Sequence, residues 1–108
     1  MAYDEALVMR IRNALAKEEG ITEKKMFGGI AFMKDGNMVC GPVGDSLMVR
    51  VGPAAYEEAL MLPHAGPLAF TGRPMKGMVQ VAPNGLDGDA LTTWVGRGLA
   101  FASTLPPK

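Results

Sequence analysis

Cys40 and His64 are the residues from which a reaction centre would have to be built, since the chain has one thiol and one imidazole. They could pair as nucleophile and base, because catalytic partners meet in space rather than in sequence. Cys40, however, follows Val39 inside a stretch that reads as a strand, where a free cysteine usually behaves as a small buried hydrophobe. A zinc site would have to recruit carboxylates, and no CxxC or HxxxH spacing is present. Neither GxxxxGK[ST] nor GxGxxG occurs, so the usual phosphate cradles lack a sequence basis, and Gly28-Gly29 reads as a bulge or bend before a hairpin. The expectation is a protein with no catalytic residues, no metal and no cofactor.

Cations offer a different chemistry. Arg73 and Lys76, within Gly72-Arg-Pro-Met-Lys-Gly77, could set two positive groups beside permissive backbone and hold a carboxylate or phosphate. The alternative is a solvated charged loop, as most surface basic residues are. With Arg50 they define one candidate anion site.

The elements that must position these groups follow from periodicity. From Asp4 to Lys17 the residues Leu7, Val8, Ile11, Ala14 and Leu15 recur on one helix face, with Asp4 as N-cap and Gly20 as stop. Ile30 to Met33 and Met38 to Gly41 flank Asp35-Gly36, a two-residue hairpin turn. Leu47 to Val51 alternates as a third strand, and Gly52-Pro53 opens a helix that buries Tyr56, Ala59 and Leu60. Prolines and glycines from 63 to 77 leave room only for short strands at Leu68 to Phe70 and Met78 to Val81. Asp87 then caps a last helix whose Leu91, Trp94, Val95, Gly98 and Ala102 share a face, and Pro106-Pro107 prevents its continuation. The order α-β-β-β-α-β-β-α describes one α+β domain over residues 1–108, two-layered, with an antiparallel sheet and helices.

Strand register suggests a second surface. A two-residue loop sets Met33 opposite Met38 and Phe32 opposite Val39, which places Ile30, Phe32 and Val39 on one face and Met33, Met38 and Cys40 on the other. If Leu47, Val49, Val51, Val79 and Val81 join the Phe32 side, then Met33, Met38, Met48 and Met78 gather around Arg50 and Gln80. Methionine adapts to irregular partners, and an apolar patch of this kind marks an interface. Either this face binds a protein partner or a second copy of the chain, or a helix covers it as a further core layer.

Composition narrows the function classes. The 108 residues carry 11 basic and 11 acidic side chains, so no overall positive field exists to displace counterions from nucleic acid, and direct sequence-specific DNA binding is not expected. A single cysteine rules out an internal disulfide and suits a reducing cytoplasm. Charges interrupt the N-terminal apolar positions, and no apolar run approaches the ~20 residues that cross a bilayer, so neither secretion nor membrane insertion is expected.

Four segments carry a family resemblance. Met26-Phe-Gly-Gly-Ile-Ala-Phe32, Leu47-Met-Val-Arg-Val51, Phe70-Thr-Gly-Arg-Pro-Met-Lys-Gly77, and Trp94-Val95 with Gly98-Leu-Ala-Phe101 resemble successive signatures of the N-terminal domain of the TfoX/Sxy competence regulators, over roughly residues 3 to 107. The resemblance implies a two-layer α+β fold, which agrees with the order read from periodicity. Members of that family regulate DNA uptake and join this domain to a second, helical one, before which this chain ends. The implied function is a bacterial regulatory or protein-binding module acting on transcription through a protein partner or as a homodimer, and not an enzyme. The alternative is a small-molecule or anion-binding protein, or an enzyme, using Arg50, Arg73 and Lys76.

Overall fold

The computed structural model describes residues 4–26, 29–67 and 77–107. Helix α1 spans Glu5–Ala14, and the Asp4 carboxylate accepts from the amides of Ala6 and Leu7, which meets part of the need for N-terminal acceptors. Leu7, Val8 and Ile11 are its buried stripe.

The strands are β1 Ile21–Met26, β2 Gly29–Lys34, β3 Asn37–Val43, β4 Ser46–Arg50, β5 Ala65–Pro67 and β6 Met78–Val81. They form one antiparallel sheet in the order β1-β2-β3-β4-β6-β5. Helix α2 is Tyr56–Leu60 and helix α3 is Ala90–Ser103, the latter preceded by a 3-10 turn at Pro83–Leu86.

Strand β1 is absent from the sequence-based order, which becomes α-β-β-β-β-α-β-β-α. Ile-Thr-Glu-Lys-Lys-Met lacks an apolar alternation because β1 is an edge strand with Thr22, Glu23, Lys24 and Lys25 exposed, and charge on an edge discourages pairing with other chains. Arg12 of α1 reaches across to Glu23 with bonds of 2.8 and 2.9 Å. That bond holds the Glu23 carboxyl below its ordinary value. The expected strand at 68–70 lies outside the described residues; β5 occupies 65–67.

The hairpin register also differs from expectation. Lys34 faces Asn37 and Met33 faces Met38, but Phe32 pairs with Cys40, because a bulge makes Val39 an extra residue. Val39 and Cys40 therefore both join the helix-side core, and Cys40 does not sit with the methionines.

That core runs from Leu7, Val8 and Ile11 through Phe32, Val49, Val79 and Val81 to Leu91, Trp94 and Val95. Within it α3 covers β3 and β4, while α2 covers β5 and β6. The face expected for α3 is buried throughout, but Asp87 is not its cap: Asp89 takes that position, and Asp87 ends the 3-10 turn. Helix α2 begins three residues after Pro53 for a related reason, the intervening residues forming turns.

Candidate functional site

Because α2 and α3 sit on neighbouring strips of one sheet face, a trough runs between α3 and the chain that leads into and out of α2. At one end a cavity of about 360 Å³ has Leu62, His64 and Asp87 facing Thr93, Trp94 and Arg97. At the other a cavity of about 430 Å³ has Val51, Pro53 and Ala55 facing Arg97, Ala100 and Phe101. Arg97 belongs to both, so the two cavities adjoin. The α3 side is a single stripe from Ala90 to Thr104, about 21 Å long at 1.5 Å per residue.

Each aromatic on this stripe carries an arginine. The Arg97 guanidinium lies 5.4 Å from the Trp94 ring centroid, and that of Arg50 lies 5.2 Å from the Phe101 centroid. These are cation–π distances. The ion pairs among the described residues are Arg12–Glu23 and Lys34–Asp35, so both arginines keep their charge available.

Two glycines let the walls close up. Gly52, at φ +88°, would place a Cβ 2.4 Å from Phe101 Cδ1, and Gly85 would place one 2.6 Å from the His64 Cβ. His64 itself adopts φ +68°, a left-handed conformation uncommon for a residue with a side chain, and its carbonyl accepts from the Ala82 amide at 2.9 Å. The only imidazole is thus fixed, exposed, at the mouth of a cavity.

Cys40 lies elsewhere. It is fully buried, and burial pushes its thiol up to about 12, the opposite of an activated nucleophile. Among the described residues no cluster of histidine, cysteine and carboxylates could hold a metal ion.

The methionine set sits on the sheet face away from the helices. Met48 and Met78 form a small cluster with Ala31, and Met33, Met38 and Val43 pack against it. Met48 is 2% and Met78 7% exposed, which leaves Met33 and Met38 as the members with surface to offer. Arg50, expected among them at the strand end, stacks on Phe101 of α3 instead. Arg73 and Lys76 lie outside the described residues, so of the candidate anion site only Arg50 is placed.

Sequence reasoning passed over Arg97, Ala100 and Phe101. For Phe101 the signal was the width of the apolar arc: Leu99 and Phe101 flank the buried stripe Leu91, Trp94, Val95, Gly98 and Ala102 on either side, whereas Arg97 and Ala100 fall on the far side of the helix and carry no such signal.

Among the described residues, an antiparallel six-stranded sheet carrying three helices defines an α+β domain. The profile of the TfoX N-terminal domain matches residues 13–102 of the 108, and the chain belongs to that family. Comparison with curated proteins and with solved structures gave no match. Among the described residues no helix is long and apolar enough to cross a membrane.

Proposed function

We propose that this chain is a cytoplasmic regulatory module that binds a protein partner along the α3 groove and acts through that partner rather than by reading DNA. One observation carries the reading: two adjoining cavities share Arg97, which stacks on Trp94, and Phe101 of the second cavity carries Arg50 on its ring. Aromatic residues and arginine are the types enriched at the energetic centres of protein interfaces. A small-ligand site, by contrast, encloses most of its ligand. Family membership supports the module itself, and equal numbers of acidic and basic residues favour an indirect route to nucleic acid.

The test is affinity capture from the native cell with the wild-type chain and with Ala100→Tyr. Ala100 is exposed and lines the groove, so a tyrosine there fills the groove without disturbing the core. The expected result is a reproducible partner that the variant loses while its circular dichroism is unchanged. Equal recovery by both proteins would move the docking surface elsewhere.

A further inference from the structure

Resting on the groove reading, we infer that the occupant is an acidic amphipathic helix of the partner, its carboxylates set against Arg97 and Arg50. Length comes first. The α3 stripe extends about 21 Å, the span of roughly 14 helical residues, and helix-in-groove recognition uses apolar anchors spaced three, four and seven residues apart over such a distance. Ala54, Ala55 and Ala100 line the larger cavity with small side chains, so the apolar anchors of an incoming helix have room there.

Charge selects among helices. The half of the groove around Phe101 has Arg97 on its wall, Arg50 stacks on the Phe101 ring beside it, and among the described residues no carboxylate lines that cavity. Neither guanidinium forms an ion pair among the described residues. Both are half-buried, where a facing carboxylate gains more than it would on open surface. At the opposite end Asp87 and His64 line the smaller cavity. Arg97, shared by both cavities, therefore has the Asp87 carboxylate on the lining at one end and no carboxylate among the described lining residues at the other. This polarity orients the occupant: its acidic residues lie beside Phe101 and its neutral polar residues beside Asp87.

A selection from a display library of helix-biased peptides of about 14 residues, matched to the length of the stripe, tests this. Wild-type protein should enrich sequences with an apolar stripe flanked by Asp and Glu. The same selection on Arg97→Glu should shift the enrichment toward Lys and Arg, and Arg97→Gln should bind the wild-type winners at least tenfold more weakly, with circular dichroism showing that both variants fold. Enrichment of neutral or basic peptides that Ala100→Tyr excludes would overturn the acidic occupant and leave the groove standing. Winners that bind Ala100→Tyr as well as wild type, or no enrichment at all, would contradict both the occupant and the groove.

Discussion

Gly98 of α3 lies against the backbone of Val39: a Cβ at position 98 would stand 2.4 Å from the Val39 carbonyl oxygen. Val39 is the extra residue of the β3 bulge, so the helix packs directly on the bulge, and a missing side chain is what permits it.

Gly98 and Gly96 should consequently respond in opposite directions. Gly98→Val is expected to destabilise by roughly 1 to 3 kcal/mol through overpacking, since the obstacle is backbone that cannot swing aside. Gly96 has open space around its would-be Cβ, so Gly96→Ala should stabilise by about 0.8 to 1.0 kcal/mol from helix propensity. Denaturant melts measure both, and equal responses would refute the packing described.

The methionine face should divide the same way. Met48 is buried, so Met48→Glu places a carboxylate without a partner in an apolar cluster and should cost roughly 3 kcal/mol or more. Met38 is half-buried, and Met38→Glu should cost clearly less. The paired substitution, which would spare the fold if the face were open, is expected to unfold the protein in thermal melts.

Cys40 should be silent until the chain opens. In the folded state its thiol stays protonated to about 12, whereas the unfolded thiol ionises near its ordinary 9.0. The folded value is the raised one, so this group's contribution to stability is complete below pH 9 and is lost as pH rises toward 12. Labelling by a disulfide reagent at pH 8 should follow the rate or population of unfolding and accelerate with mild denaturant. Rapid stoichiometric labelling of native protein would contradict the burial.

What the sequence revealed depended on whether a residue's local pattern decided its place. The α3 face and the Asp4 cap were legible because periodicity and capping chemistry act within one element. The Phe32–Cys40 pairing was not, because a bulge is set by what packs over it, here Gly98 of a helix distant in the chain. Strand β1 escaped because an exposed edge needs charge rather than apolar alternation. The groove was illegible for a further reason: Phe101 meets Arg50 and Gly52 only after α3 has crossed β4, and nothing in their spacing announces it.

Site-specific photo-crosslinking in the native cell tests the groove most directly. A photoreactive phenylalanine analogue at Ala100, which lines the trough, should give one discrete protein adduct. The same analogue at Thr22, exposed on edge strand β1, should give none. An adduct from Thr22 with nothing from Ala100 would contradict the account and place the partner on the sheet edge.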